Sequence, residues 1–274
     1  MKRAVNYRPD RATGAFLALL PFAFALVAYF LASEARLAAN PADRLMPSFG
    51  AFADAIEQFA FTENRRTGEY LLWSDTAISL RRIAIGLGVS VLLCIVVGVP
   101  AGFLPVLSRL LGPFVAALSL IPPLAVLPIL FIVFGLGELA KVALIVFGVA
   151  PFLIRDVALA VQQIPRELIV KAQTLGASTW QMMTLVVFPQ VLPRLFDSLR
   201  LSLGATWLFL IAAEAIASEG GLGYRIFLVR RFLAMDVILP YVAWITLLAF
   251  LMDWGLARLS RRLARWRAIE KGEA

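Results

Sequence analysis

The sequence contains no histidine and a single cysteine, Cys94, among its 274 residues. Without histidine, the chain lacks the commonest general base and the commonest metal-binding side chain of proteins. Hydrolases built on a Ser–His pair and enzymes with histidine-bound metals are therefore excluded, and we expect no catalytic residue and no metal site. A lone cysteine cannot form a disulfide within the chain, and in an apolar run its thiol is expected to be inert.

Charged residues are also scarce. They make up 16% of the chain, whereas hydrophobic residues make up 61%. Soluble domains contain about 25% charged and about 45–50% apolar residues. A water-soluble protein could not bury so much apolar side chain, so the composition predicts a membrane protein. The apolar runs are continuous rather than alternating, which favours helices over a transmembrane β-barrel.

Six apolar segments approach or exceed the roughly 18–20 residues that a helix needs to cross a hydrocarbon core. The third contains several prolines, among them Pro122 and Pro123, so we expect it to be kinked or interrupted. The first also has the flanking residues of a cleaved signal peptide, although its apolar run is longer than the usual one of about 7–15 residues. The segments predict an all-α protein with six transmembrane helices at residues 15–32, 83–104, 113–135, 139–159, 201–217 and 237–256.

Most of the 26 Lys and Arg residues fall in segments on one side of these spans. Because basic loops are retained in the cytoplasm, this asymmetry predicts that both termini are cytoplasmic. The basic residues are dispersed beside apolar spans, so nucleic-acid binding explains them poorly.

The chain divides into three parts. Residues 1–75 hold the N-terminal tail, the first span and an external connector, residues 76–260 the main membrane domain, and residues 261–274 a basic cytoplasmic tail. The connector contains an amphipathic pattern at residues 49–61. For this short helix we favour a position on the membrane surface over contact with an external partner.

Residues 160–200 form the longest predicted cytoplasmic segment. Within it, Pro165 is suited to the first position of a helix. Gly176 is suited to end that helix, because glycine accepts a left-handed backbone at little cost.

A second helix is predicted directly after this glycine. Ser178 and Gln181 form a capping-box pattern, and we expect the helix to stop at Pro189. Together the two helices predict a rigid helix–glycine–helix corner at residues 165–189. The alternative is an ordinary amphipathic connector on the membrane surface.

This corner resembles the cytoplasmic motif of permease subunits of binding-protein-dependent ABC importers, written E-A-A, three residues, G, nine residues, I-x-L-P. One alanine, the glycine, the proline and their spacing match, whereas Val170 and Lys171 replace the leading Glu and Ala. The aligned positions are Val170, Lys171, Ala172, Gly176, Val186, Phe188 and Pro189.

Three further stretches resemble the sulfonate, nitrate and taurine branch of that family. They are SLRRIAIGLGVSVLLCIVVGVPAGFL, IPPLAVLPILFIVFGLGELAKV and AAEAIASEGGLGYRI. With the corner they lie in the family's order and cover about residues 79–228. The chain is therefore identified as a member of the family.

The resemblance implies a MetI-like type I importer permease in the bacterial cytoplasmic (inner) membrane. Such a multi-pass protein moves a small polar solute into the cytoplasm, here one like a sulfonate, nitrate or taurine, or a small nitrogen compound. Its implied partners are two copies of an ABC ATP-binding subunit, an external solute-binding protein, a second permease copy in a homodimer, and membrane lipid.

ATP chemistry is expected on the partner alone. The sequence has no G-x-x-x-x-G-K-[ST] motif, the loop that cradles nucleotide phosphates. ATP and Mg²⁺ would therefore be bound by the ATP-binding subunit, and this chain is expected to be neither an enzyme nor the holder of a cofactor.

The resemblance also implies two groups of site residues. Contact with the ATP-binding subunit is implied for Glu167, Lys171, Ala172, Gly176, Ala177, Ser178 and Pro189. A place on the translocation path or its gate is implied for Pro122, Pro123, Glu214, Gly221 and Gly223.

Glu214 can be interpreted in two ways. An ionisable residue inside a span costs about 2.5–3.5 kcal/mol on insertion scales, and by itself it suggests a cation or proton site. Because similar permeases, anion importers among them, carry glutamate there, we favour a packing or gating role. Asp253, in the sixth span, is expected to pair with a basic residue such as Arg258.

The main alternative function is an ATP-independent secondary transporter or channel. Such a protein would carry several intramembrane ionisable residues or an internal repeat. The sequence shows no repeat, and Glu214 is the one residue that we interpret as an intramembrane ion.

Overall fold

A computed structural model of the protein describes residues 10–41, 43–65 and 67–263. In that part of the chain every regular element is helical, which confirms the predicted all-α class. Five helices are long and apolar enough to cross a membrane, and a bent pair of helices makes a sixth candidate span. Most of the predicted basic tail at residues 261–274 lies outside the described residues.

We number the helices in chain order. They are α1 (Arg11–Ala39), α2 (Phe49–Ile56, extended by a π-helical turn at Glu57–Phe61), α3 (Leu71–Phe103), α4 (Pro105–Leu120), α5 (Pro123–Phe134), α6 (Glu138–Gln162), α7 (Arg166–Thr174), α8 (Thr179–Ile216), α9 (Leu222–Arg230) and α10 (Met235–Leu263).

The six predicted spans are present, but several helices extend well beyond the predicted bounds. α3 begins at Leu71 rather than at residue 83, and α8 begins at Thr179 rather than at residue 201. The added turns contain polar residues such as Asp75, which are buried against other helices instead of facing lipid. A span predicted from hydropathy alone ends before these turns, because hydropathy cannot distinguish an inward-facing polar side chain from an exposed one.

The predicted interruption of the third span is confirmed. α4 and α5 meet at an angle of 98°. Ile121 has an extended backbone, with φ −74° and ψ 123°, as is favoured for a residue that precedes proline. Pro122 follows it, and Pro123 is the first residue of α5.

α6 lies at the centre of the bundle, between α3 and α8. A Cβ at Gly86 of α3 would lie 2.6 Å from Ile145 Cγ2, and a Cβ at Gly102 would lie 2.7 Å from the Ala158 carbonyl oxygen. These glycines therefore let α3 and α6 approach closely within one chain. The α6 side chains in this core include Leu144, Ile145, Val149, Leu153 and Val157.

The predicted short helix of the connector is present as α2. The Ser48 hydroxyl caps it by accepting a hydrogen bond from the Ala51 amide at 3.3 Å. The π-helical turn that follows packs on α10, where the Phe59 and Tyr241 rings lie 5.9 Å apart. The position of α2 on the membrane surface stays a prediction.

Candidate functional site

The candidate residues lie at two opposite ends of the bundle. α3 and α6 begin, and α8 ends, at what we call the Glu214 end. α6 ends and α8 begins at the corner end, which holds residues 165–189. The position of the corner end in the cytoplasm remains a prediction from charge asymmetry.

The first helix of the corner ends at Gly176 as predicted. Gly176 has φ +78°, and its amide donates to the Gln173 carbonyl at 2.9 Å. The next amide, of Ala177, donates to the Ala172 carbonyl at 3.0 Å. These two hydrogen bonds form a Schellman motif. No atom lies within 4 Å of a Cβ built at Gly176, so glycine is required there by the backbone conformation and not by crowding.

The predicted capping box is confirmed at the start of the second helix. The Gln181 amide donates to the Ser178 hydroxyl at 3.2 Å, and the Ser178 amide donates to Gln181 Oε1 at 2.8 Å. Pro165 occupies the N-cap, one position before α7 rather than its first residue. The angle of the corner is thus fixed by hydrogen bonds on both sides of Gly176.

The prediction that the second helix stops at Pro189 is wrong. α8 continues through this proline to Ile216. A π-helical turn at Met182–Val187 lies just before Pro189. Because this turn already departs from the i→i−4 hydrogen-bond pattern that a proline disrupts, the helix can continue through Pro189. As a result, the segment between the two long helices α6 and α8 covers residues 163–178, which is shorter than the predicted non-spanning segment at residues 160–200. The corner is therefore continuous with a candidate membrane span.

The corner presents an exposed surface that combines charge with apolar groups. α7 buries none of its residues, and Leu175 and Trp180 are 87% and 67% exposed. Within the described residues, the side chains of Glu167 and Lys171 form no hydrogen bond or ion pair. Exposed apolar groups rimmed by polar residues mark a surface that contacts a protein or a membrane. Sequence reasoning did not predict that Leu175 and Trp180 belong to this surface. The available signal was that both are large apolar residues in a segment with many polar residues.

At the other end, Glu214 is completely buried but fully hydrogen-bonded. Its Oε1 accepts from Ser79 Oγ at 2.8 Å and from Arg82 Nη1 at 2.7 Å. Its Oε2 accepts from the Gly223 amide at 2.8 Å. A buried charge with this many partners ties together the elements that supply them.

The glycine-rich turn is shaped around this carboxylate. Gly221 has φ +119°, and a Cβ there would lie 2.5 Å from Glu214 Oε1. A Cβ at Gly223 would lie 2.9 Å from the Cα of Ile211. Both glycines are therefore needed for the turn to lie directly against α8.

Arg82 extends the cluster to α6. Besides Glu214, it contacts the Gly220 carbonyl at 2.9 Å and both carboxylate oxygens of Glu138, one of them from Nε at 2.8 Å. Lys141 is only 3% exposed, and its Nζ lies 3.6 Å from Glu138 Oε1. One ionic cluster thus joins α3, α6, α8 and the glycine turn.

A second ion pair holds α9 to the same end. Arg225 Nε donates to Asp75 Oδ2 at 2.8 Å, and the Gly221 amide donates to Asp75 Oδ1 at 2.9 Å. Burial disfavours the charged form of Arg225, but the hydrogen bond and charge of Asp75 outweigh it, so the pKa of Arg225 is raised above its usual value.

Sequence reasoning recognised only part of this cluster. It brought forward Glu214, Gly221 and Gly223, which the structure places together. It missed Arg82 and Lys141, two buried cations of the candidate spans α3 and α6 that lie in the same cluster. The stretches SLRRI and GELAKV carried the signal, because each places a cation beside an apolar run.

The structure does not bring Pro122 and Pro123 into the cluster around Glu214. The hydrogen-bond partners of Glu214 are Ser79, Arg82 and Gly223. The two prolines form the bend between α4 and α5. Their predicted place on the translocation path stays a prediction.

Two ion pairs stabilise the corner end. Arg194 contacts Asp156 through Nε at 2.8 Å and Nη2 at 2.7 Å. Asp253 pairs with Arg200 at 2.9 Å, so the expectation that it pairs with Arg258 is wrong. The Arg258 guanidinium lies instead 4.8 Å above the Trp254 ring, which is a cation–π arrangement.

Fold and geometry together define a class of protein: a multi-pass, all-helical membrane component with a rigid exposed corner and no soluble domain among its described residues. The fold is similar to that of a chain in an inward-facing structure of the MetNI methionine ABC transporter. The TM-score is 0.60 at 23% identity, over 73% of this chain and 99% of that one.

The family follows from the sequence match. Residues 91–265 match the family described as binding-protein-dependent transport system inner membrane component, and the chain belongs to this family. It is similar to the taurine transport system permease protein TauC of Escherichia coli K12, with 39% identity over 195 residues and 71% of each chain. It is 32% identical to the bicarbonate transport system permease protein CmpB of Synechococcus elongatus over 210 residues, which is 76% of this chain and 74% of CmpB.

These findings confirm the predicted MetI-like permease fold and the predicted place in the inner membrane. The chain is a multi-pass permease of a transport system whose relatives are ABC transporter permeases.

Proposed function

We propose that this permease forms a homodimer and imports a small sulfonate-type or related anionic solute, with ATP hydrolysed by partner subunits. The observation that carries the proposal is the corner at residues 165–189. It is exposed, its angle is fixed by hydrogen bonds, and it continues directly into α8.

Such a corner suits mechanical contact with an ATP-binding subunit. Two of these subunits, one on each permease copy, would approach each other when they bind ATP. Because α8 runs without a break from Thr179 to Ile216, a displacement of the corner moves the far end of a membrane span as one rigid body. The corner needs no catalytic group for this role.

Glu167 is the residue of the corner that we propose to replace the missing motif glutamate. It lies in the first turn of α7, one turn before Val170. Its carboxylate has no partner among the described residues, so it is free to contact a basic or polar group of the ATP-binding subunit.

Glu167→Gln should lower solute-stimulated ATP hydrolysis by the reconstituted transporter, because the variant removes the charge and keeps the shape. Glu34→Gln, at the far end of α1, is the matched control and should leave hydrolysis unchanged. Equal coupling in the Glu167 variant and the wild type would contradict this role.

The Glu214 end is the proposed contact for the solute-binding protein. The glycine turn and α9 are tied to α3 and α8 by Glu214 and by Asp75. A docking protein would therefore meet a surface whose position depends directly on two membrane-spanning helices.

The proposed substrate class comes from the relatives. TauC is named for taurine transport and CmpB for bicarbonate transport, and these two solutes share small size and an anionic group. The substrate of this chain would be delivered by its own binding protein.

The proposal is tested by transport in proteoliposomes that contain the permease, its ATP-binding subunit and its solute-binding protein. We expect uptake of labelled taurine or bicarbonate that requires ATP and is abolished when the binding protein is omitted. Flux of either solute through the permease alone, without ATP, would instead support the secondary transporter.

A further inference from the structure

An apolar groove lies on the side of the bundle between α1, α2 and α10. Its volume is about 770 Å³, within the range of about 300–1,000 Å³ that is typical of ligand sites. The side chains that form its walls include Leu26, Tyr29, Phe52, Trp73, Trp244 and Leu247.

The polar atoms of the aromatic side chains in these walls are already used within the chain. The Tyr29 hydroxyl donates to the Pro47 carbonyl at 2.8 Å. The indole of Trp73 donates to the Ala60 carbonyl at 3.0 Å, and that of Trp244 donates to Thr76 Oγ1 at 2.9 Å. The groove therefore offers carbon surface, and a polar or charged solute would lose its hydration there without compensation.

The depth of the groove fits one leaflet of a membrane. Along α10 it extends over residues 237–247, which corresponds to about 15 Å at a rise of about 1.5 Å per residue. The hydrocarbon core of a bilayer is about 30 Å thick. The groove starts near the first turn of α10, and its length is about half of that thickness.

α1 depends on this region for its attachment. The most apolar window of α1 is 0% buried. Near its end, α1 contacts α2 and the segment before it: the Tyr29 and Phe49 rings are 5.8 Å apart, and Ser33 Oγ donates to the Met46 carbonyl at 3.0 Å. Of the groove walls, α1 supplies Ala25, Leu26 and Tyr29, and α10 supplies residues between 237 and 247.

We propose that this groove binds one acyl chain of a phospholipid from the leaflet at the Glu214 end. The chain lies between α1 and α10 and holds the first span against the bundle. The existence of this site does not depend on which solute is transported.

Retention of lipid through purification tests the site. The detergent-purified wild-type protein should carry a bound phospholipid that native mass spectrometry detects. Ala243→Phe fills the groove from α10 and should lose that lipid. Leu251→Phe is the matched control, because Leu251 is an exposed residue of the same helix that does not line the groove. Equal retention by all three proteins would overturn the proposal.

A second measurement leaves Ala243 in place, so it stands even if Ala243→Phe fails to fold. In bilayers with a small fraction of phospholipid brominated on its acyl chains, bromine should quench Trp244 more strongly than Trp254, which is on the open face of α10. Trp244→Phe and Trp254→Phe separate the two signals. Equal quenching would mean ordinary surrounding lipid, and complete protection of Trp244 would mean that a second protein helix fills the groove; either result overturns the proposal.

Discussion

Arg82 and Glu214 are the residues on which the Glu214 end depends most. Each is buried, and the two make contact at 2.7 Å. The desolvation of two such charges is offset only when the pair and its hydrogen bonds are complete. Loss of Arg82 would leave the buried Glu214 carboxylate without its counter-ion, with hydrogen bonds only from Ser79 and Gly223.

Arg82→Met should therefore lower the free energy of unfolding by about 3–5 kcal/mol, the usual cost of breaking a buried pair. Arg81→Met is the matched control. Arg81 is 63% exposed and its Nη2 lies 3.5 Å from Glu138 Oε2, and an exposed pair contributes at most about 1 kcal/mol. Denaturant unfolding in detergent measures both, and equal destabilisation would contradict the account.

Gly221→Ala should also destabilise this end. The added Cβ would meet the Glu214 carboxylate, and φ +119° strains any side chain. Strain and overpacking together should cost about 2–5 kcal/mol. Gly204→Ala in α8 is the control, because nothing lies within 4 Å of its Cβ position. Thermal unfolding compares the two variants, and a Gly221→Ala protein as stable as Gly204→Ala would argue against a carboxylate-shaped turn.

At the scale of elements, the corner owes its shape to local chemistry. Gly176 ends α7, and Ser178 begins the next helix two residues later. Both signals act within a few residues, which is why the sequence predicts them correctly. The passage of α8 through Pro189 could not be predicted in this way, because it depends on a π-helical turn that no simple residue pattern specifies.

Gly176→Ala should weaken coupling between ATP hydrolysis and transport. A left-handed conformation costs a residue with a side chain about 1–2 kcal/mol, and relief of that strain would change the angle between α7 and α8. Gly176→Asn should retain more coupling, since asparagine tolerates this conformation better than alanine. The ratio of solute moved to ATP hydrolysed is the measurement, and an unchanged ratio in Gly176→Ala would show that the corner angle does not matter.

For the whole molecule, the sequence predicted the all-α class and the candidate spans because a long continuous apolar run identifies a helix that can cross a membrane. It did not predict which charges meet. Arg200 and Asp253 are 53 residues apart, and Arg225 and Asp75 are 150 apart. Such pairs are set by how helices pack, so they follow from the three-dimensional arrangement of α3, α8, α9 and α10.

The resulting bundle places two rigid regions at opposite ends of the same helices. The ionic cluster fixes the turn at the Glu214 end, and the corner fixes the start of α8 at the other. Since α8 contributes to both regions, we propose that it is the mechanical link between them.

The most direct test of this account is affinity purification of the tagged permease from its native membrane, with the co-purified ATP-binding subunit quantified. We predict equal amounts of permease and ATP-binding subunit for the wild type. We also predict loss of that subunit from Trp180→Asp, which changes an exposed side chain of the corner and leaves the bundle folded. A wild-type permease that carries no ATP-binding subunit and moves solute by itself in liposomes would contradict the account.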